Sequence, residues 1–197
     1  FLNAFGWQYN PRHFDNEIGP FITWKSQEDA ILETLDTLFV VKEDILWVKS
    51  REVGGTWLAL FLEDWVCRFK KNKTFLDISH SERAVKEGEN KNTLFWKLAF
   101  IHEYLPDFLF PVLEQKNGFY YRHTKSNVNG ASTTKRSGVG GRGPVLLDEF
   151  GLQQDAVSIW SHTRDVGPRL VVSTHYGSGT KFNDLCENKN IRRIVMH

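Results

Sequence analysis

"ILWVKSREVGGTWLALFLEDW", residues 45–65, begins as an apolar strand, breaks into a polar glycine-bearing loop and resumes as an apolar helix. The loop KSREVGGT nearly fits the phosphate-binding pattern G-x-x-x-x-G-K-[ST]. In that pattern backbone amides at a helix N-terminus cradle an anion and a lysine neutralises it. Gly54 and Thr56 fill the slots of the second glycine and the hydroxyl, whereas Gly55 stands in the lysine slot and Lys49 in the first-glycine slot. A lysine leaving the loop at its first position would reach the same phosphates from the other side, with Arg51 assisting. Thr56 would place its hydroxyl on Mg²⁺ in the first helical turn. The plain alternative is a polar strand-to-helix turn that binds nothing, and the loop alone does not separate the two.

Outward from this loop, apolar runs and helical periods alternate. Before it, "FLNAFGWQYNPRHFDNEIGPF" is aromatic and proline-punctuated, and residues 1–26 read as an irregular lead-in that contains an adenine-side segment. "SQEDAILETLDTLFV" has helical spacing at Ile31, Leu32, Leu35 and Leu38, with Ser26 as the expected N-cap. After the loop come a helix from about Thr56 to Lys70, a strand "TFLDIS" (74–79), and a helix "NTLFWKLAFIHEYL" (92–105) stopped by Pro106. "GFYYRHT" and "SNVNGAST" read as a strand pair, followed by the glycine-rich "KRSGVGGRG". Then "PVLLDEFG" is a strand, "QQDAVSIWSHTRD" a helix, "PRLVVSTH" a strand, "GTKFNDLCENK" a helix and "IRRIVMH" a strand. Unbroken apolar strands alternating with helices predict an α/β fold, a mostly parallel sheet with helices on both faces. Residues 27–197 form its core.

Bulk properties exclude several classes. The chain has 197 residues, enough for one sizeable domain. A net charge of +1 sets up no global field for nucleic acid, so any DNA contact must use local patches. Cys67 and Cys186 lack C-x-x-C partners, so neither a disulfide framework nor a zinc site is indicated. His162, His175 and His197 have no ligand spacing. No apolar run approaches the roughly 18 residues that cross a bilayer, so no membrane partner is expected. The aromatic residues fall at helical or strand spacing and read as core rather than as a base-stacking platform. A start at Phe1 and an end inside a strand lead to the expectation of a fragment.

Two further motifs bear on the loop. In "VLLDEF" an apolar strand (145–147) delivers Asp148 and Glu149 to its C-terminal end, the edge at which open parallel sheets bind ligands. One carboxylate there can hold Mg²⁺ while the next orients and deprotonates an attacking water. Alone, such a pair is more often a solvated loop. "LVVSTH" (170–175) ends a strand in Ser173 and Thr174, which can sense a terminal phosphate or simply close the strand. "SGVGGRG" is rejected as a second phosphate loop because a strand rather than a helix follows it.

Together these residues resemble the ATPase domain of the large terminase subunit, the DNA-packaging motor of tailed bacteriophages and herpesviruses. Members of that family carry a loop K-S-x-x-x-G-x-[ST], with lysine in front, and KSREVGGT has this form. The resemblance runs from about Phe21 to Val195. It implies a P-loop NTPase of the RecA-like, additional-strand, catalytic-glutamate class, with the loop as Walker A and LLDEF as Walker B. ATP and Mg²⁺ would be its cofactors. Lys49, Ser50, Arg51, Glu52, Val53, Gly54, Gly55 and Thr56 would surround the phosphates. Gln27 would read adenine, with Phe21 or Trp24 on the base, unless it only caps its helix. Asp148 and Thr56 would hold the metal, Glu149 would be the base, and Ser173 and Thr174 would couple hydrolysis to motion. His175 departs from the third position of many relatives in that coupling motif.

The family also uses an arginine finger from a neighbouring subunit. Arg142 stands where relatives place it, with Arg136 and Arg83 as reserves, although most such arginines are solvated surface residues. The implied activity is ATP hydrolysis driving double-stranded DNA into a procapsid, by a ring working with a portal protein and a small terminase subunit. Its setting would be the host cytoplasm and, transiently, the procapsid. A nuclease domain is expected beyond this chain, so no DNA cleavage is expected from it, and in isolation it would be monomeric and slow. Two alternatives stay open: a superfamily 2 helicase-like ATPase, whose acid motif the DEFG of this chain matches poorly, and a non-hydrolysing P-loop docking module.

Overall fold

The computed structural model of the chain describes residues 1–12, 15–131 and 143–197. The lead-in contains α1 (Leu2–Phe5) and the strands β1 (Trp7–Tyr9) and β2 (Ile18–Pro20), which pair antiparallel as a ribbon of their own. Elements this short carry no readable period, so the sequence presents them as irregular. Next, α2 (Lys25–Asp36) passes into a π-helical turn at Thr37–Val41. Its N-cap is Trp24 rather than Ser26, and Gln27 reaches back so that its Oε1 accepts the Trp24 N–H at 2.9 Å. That bond satisfies a backbone donor at the helix entry.

The core elements follow in order: β3 (Ile45–Lys49), α3 (Gly55–Phe69), β4 (Thr74–Ile78), the single-turn α4 (Glu82–Val85) and α5 (Leu94–Tyr104). After them come β5 (Leu113–Gln115), β6 (Gly118–Tyr121), β7 (Ser126–Gly130), β8 (Val145–Asp148), α6 (Ala156–His162), β9 (Arg169–Ser173), α7 (Lys181–Glu187) and β10 (Arg192–Met196). The strands form one eight-stranded sheet in the order β10-β3-β9-β8-β4-β7-β6-β5. From β10 to β7 every pairing is parallel; β6 and β5 then add an antiparallel edge.

Period-two alternation sorts each central strand between two cores. Ile45 and Trp47 of β3, Leu146 of β8, and Leu170 and Val172 of β9 face the layer of α3 and α5. Leu46, Val48, Val145, Leu147 and Val171 face α6 and α7, where Ile159, Phe182 and Leu185 meet them. Both faces being covered explains why these strands read as continuous apolar runs. Trp47, wholly buried, still satisfies its indole by donating from Nε1 to Thr34 Oγ1 at 2.8 Å.

Strand order and register position the site. One strand, β9, separates the loop-bearing β3 from the acid-bearing β8. Val48 lies beside Ser173, and Val172 beside Asp148. Lys49, Thr174 and Glu149 therefore leave the sheet at the same edge, the carboxyl end of the parallel strands.

Candidate active site

Between β3 and α3 the chain turns through two left-handed residues, Glu52 at φ 71° and Gly54 at φ 68°. At Gly54 glycine is required twice over: the angle disfavours a side chain, and a Cβ would approach the Phe21 ring to 3.2 Å. From beneath, Gln27 Nε2 donates to the Val53 carbonyl at 2.9 Å and pins the loop. The residue in the usual lysine slot has its own reason to be glycine. A Cβ on Gly55 would lie 2.6 Å from Lys49 Cδ, so the stem of Lys49 runs through the space in which a side chain at 55 would begin.

Opposite the loop, the acids meet it. Lys49 Nζ contacts Glu149 Oε1 at 2.8 Å with little solvent on the lysine. Thr56 Oγ1 donates to Asp148 Oδ1 at 2.9 Å. Asp148 is 5 % exposed. Burial pushes its carboxyl above the ordinary range, the charge of Glu149 adds to that, and Lys97, Lys49 and the Thr56 bond oppose it. Glu149 has a left-handed backbone (φ 50°), a conformation that costs a non-glycine residue about 1–2 kcal/mol. Such strain is held where surrounding structure fixes it, here by the 3-10 turn Phe150–Leu152 that follows.

The other sequence-predicted residues are placed as follows. Ser50 turns toward β10: its N–H donates to the Met196 carbonyl at 2.9 Å and its Oγ lies 3.3 Å from His197 Nδ1. Arg51 is exposed. Gln27 has both amide ends engaged, on Val53 and Trp24, so here it holds the loop. Phe21 is 3 % exposed and packed on Phe61, whereas Trp24 is 56 % exposed, which leaves Trp24 as the free ring of the two. Ser173 is buried; its Oγ accepts the Gly151 N–H at 2.9 Å and donates to the Thr174 carbonyl at 3.0 Å. It thereby ties the tip of β9 to the turn just behind Glu149. Arg142 and Arg136 lie outside the described residues. Arg83 is exposed on α4, 3.7 Å from Glu87.

Sequence reasoning misses three charged residues beside the site. Lys97, in the first turn of α5, is half-buried; burial lowers its pKa, and the charges of Asp148 and Glu149 work against that while Lys49 adds to it. Asp77 on β4 and Glu63 on α3 are fully buried, and no other polar group among the described residues satisfies their carboxyls. Each serves as the other's hydrogen-bond partner once one carries a proton. Burial raises both, Asp77 to about 7, with Asp148 adding to the rise at Asp77. The available signal is charge inside an apolar run: "FWKLAF" and "FLDIS" each contain one charged residue and "FLEDW" two.

A hard, oxygen-only donor pair, the Thr56 hydroxyl and the Asp148 carboxylate already in contact, suits Mg²⁺. Among the described residues no three His, Cys, Asp or Glu side chains converge on a metal-sized position. A Mg²⁺ here would therefore rely on water and on a ligand's phosphates for the rest of its shell, its usual habit at nucleotide sites.

This mostly parallel sheet, with one strand dividing the loop-bearing β3 from the acid-bearing β8 and helices on both faces, has the α/β fold expected of a P-loop NTPase. Solved structures with this fold include the large terminase from a thermophilic bacteriophage. Its crystal form 2 matches with a TM-score of 0.63 and 15 % identity over 89 % of this chain and 46 % of that one. The same terminase in complex with ADP gives 0.60 and 15 % over 88 % and 45 %, and in complex with ATP-γ-S 0.59 and 14 % over 87 % and 44 %. At these identities the likeness is one of fold, and the chain spans less than half the length of these terminase chains. No family model matches the chain. Nor does any curated protein match it.

Proposed function

We propose that this chain is the ATPase part of a viral DNA-packaging motor, hydrolysing ATP with Mg²⁺ to move double-stranded DNA into a procapsid. The observation that carries the reading is the convergence of Lys49, Thr56, Asp148 and Glu149, from two strands separated by β9, on one sheet edge. The terminase of the same fold that was solved with ADP and with ATP-γ-S supports a nucleotide as the ligand. The phosphates would lie over the amides of residues 52–56 at the N-terminus of α3. Lys49 would exchange its Glu149 partner for a phosphate oxygen, and Glu149, so released, would orient a water and take its proton. Bound at Thr56 and Asp148, Mg²⁺ would supply charge neutralisation of the phosphates. Ser173 and Thr174 would relay the state of the site to the segment behind Glu149. Adenine would be read near Gln27 and Trp24, and Arg142 would act in trans within a ring.

The DNA part of the reading is supported at the opposite edge of the sheet. Lys70, Lys71, Lys73, Arg122 and Lys125 project from two turns joined by Asn72 N–H to the Thr124 carbonyl (2.9 Å) and by Ser126 Oγ to the Lys70 carbonyl (2.8 Å). Among the described residues none of these cations makes an ion pair. Portal protein and small terminase subunit would be the partners, and the host cytoplasm and procapsid the setting. No described helix is long and apolar enough to cross a membrane.

The test is steady-state ATP hydrolysis by the assembled full-length protein. Glu149→Gln is expected to lose roughly 100-fold or more in rate while still binding nucleotide, and more tightly than wild type, because Lys49 no longer has a charged competitor. Hydrolysis at the wild-type rate by Glu149→Gln would overturn the assignment of the base.

A further inference from the structure

Glu149 has its backbone in the left-handed region, at φ 50°, which disfavours any residue with a side chain. The position of its carboxylate therefore depends on what holds the turn behind it. Asp148 closes β8, and the neighbours of β8 in the sheet are β9 on one side and β4 on the other. Both strand ends grip that turn.

On the β9 side, Ser173 Oγ accepts the Gly151 N–H at 2.9 Å. The approach is close: a Cβ on Gly151 would lie 3.0 Å from both Ser173 Oγ and the Thr174 carbonyl oxygen. On the β4 side the turn supplies the side chain. Gln153, the residue that ends the Phe150–Leu152 turn, donates from Nε2 to the Ser79 carbonyl. Ser79 directly follows β4, and Ile78 pairs in register with Leu147, so this carbonyl lies at the edge that carries the acids. Gln153 is 8 % exposed and Ser79 1 %, so water offers the pair little competition. Within the turn, the Leu152 N–H donates to the Glu149 carbonyl at 2.9 Å and the Gln153 N–H to the Phe150 carbonyl at 3.2 Å. A shift at Gln153 thus reaches Glu149 through a single hydrogen-bonded turn.

We propose that Gln153 is a positioning residue for the hydrolytic step: by tying the acid turn to the end of β4, it holds the Glu149 carboxylate where it meets the attacking water. Ser173 provides the matching hold from β9, so both strands beside β8 fix one base. This inference rests on the nucleotide-hydrolysing reading above and adds a residue beyond the LLDEF motif, one that acts through Glu149 rather than on the nucleotide. A glutamine that only satisfied the buried Ser79 carbonyl would instead affect stability, with no special bearing on the chemical step.

Steady-state hydrolysis by the assembled full-length protein, with Mg·ATP-γ-S affinity measured by calorimetry, separates the two. Gln153→Met keeps the length of the side chain and removes the donor. It is expected to lower kcat about 10-fold or more, the scale of a small displacement at a reacting group. KM and ATP-γ-S affinity should stay within about 2-fold of wild type. In the Glu149→Gln background, where there is no base to position, Gln153→Met should lower the residual rate no further. Gln154→Met, at the exposed neighbouring glutamine, is the control expected to match wild type. Thermal unfolding checks that each variant folds. Gln153→Asn, which keeps the amide and shortens its reach, should show the same split with a smaller loss, and it serves where Gln153→Met does not fold. A wild-type kcat in the folded variant, a loss shared equally by kcat and ATP-γ-S affinity, or a full further loss in the Glu149→Gln background would overturn the role of Gln153 and leave the base assigned. A wild-type rate in Glu149→Gln, or no hydrolysis by the wild-type protein, would overturn both readings.

Discussion

Gly55 and Lys49 are best understood as one substitution with two positions. A side chain at 55 and the present path of Lys49 exclude each other, since the Cβ would sit 2.6 Å from the middle of the lysine stem. Gly55→Ala is therefore expected to force Lys49 off Glu149 and weaken nucleotide binding, although it adds only a methyl group. Lys49→Ala is expected to weaken binding about 10-fold or more. The double variant Lys49→Ala/Gly55→Lys clears the path and puts a cation in the usual slot, so it should regain affinity over Lys49→Ala alone. Equilibrium titration with a fluorescent nucleotide measures all three. A double variant weaker than Lys49→Ala would show that the two positions are not alternatives. Thr56 belongs to the same turn: as the second residue of α3 it donates to Asp148 at 2.9 Å.

At the scale of elements, α3 carries two buried acids with opposite behaviour. Asp64 accepts both Arg68 Nε (3.0 Å) and Nη2 (2.7 Å), along with Tyr121 OH (3.0 Å), and lies 3.0 Å from His102 Nε2. Burial works against its charge, but His102 and Arg68 outweigh it and hold the carboxyl down at about 2. Its stabilisation is present above the ordinary carboxylate range and is lost only as pH falls toward 2. Glu63 has no such partners and shares its pocket with Asp77. There the folded state prefers the proton, so the contribution is complete below the ordinary carboxylate range and fades as pH rises through about 7. Asp148, also raised by burial, adds to the same slope. The thermal midpoint should therefore fall between about pH 5 and pH 8, and Glu63→Gln, which keeps a hydrogen bond without the charge, should flatten that fall. Calorimetric scans at the two pH values check it; a wild-type midpoint that rises over this interval contradicts the pairing.

Elements also show what a sequence can and cannot reveal. Strands β3, β8 and β9 are legible because burial on both faces makes them apolar throughout, and Lys49, Asp148, Glu149 and Ser173 are legible because they close those runs. The β1–β2 ribbon, α4 and β5 are too short for any period. Lys97, Asp77 and Glu63 reach the site only through packing of α5, β4 and α3, which no linear motif encodes. Gln27 has the chemistry of an adenine reader, but its hydrogen bonds to Val53 and Trp24 depend on how the lead-in folds under the loop. Ser26 has the chemistry of a cap, yet the cap falls two residues earlier, at Trp24, just after the buried Phe21.

For the whole molecule, the strand order determines what the edge can do. Placing β9 between β3 and β8 sets the loop and the acids on either side of one strand, close enough for Lys49 to touch Glu149. On the proposed function, a bound phosphate would part this contact. The two cation-bearing turns precede β4 and β7, at the amino end of the same sheet, so a ligand at one edge and a polyanion at the other would be joined by the parallel sheet. The central claim is that Lys49 and the Asp148–Glu149 pair enclose one triphosphate with its metal. A crystal structure of the chain with Mg²⁺ and a non-hydrolysable ATP analogue tests it most directly. The account predicts the Lys49 ammonium on phosphate oxygens, parted from Glu149, with the metal at Thr56 and Asp148; an analogue bound elsewhere, with the Lys49–Glu149 contact unbroken, would contradict it.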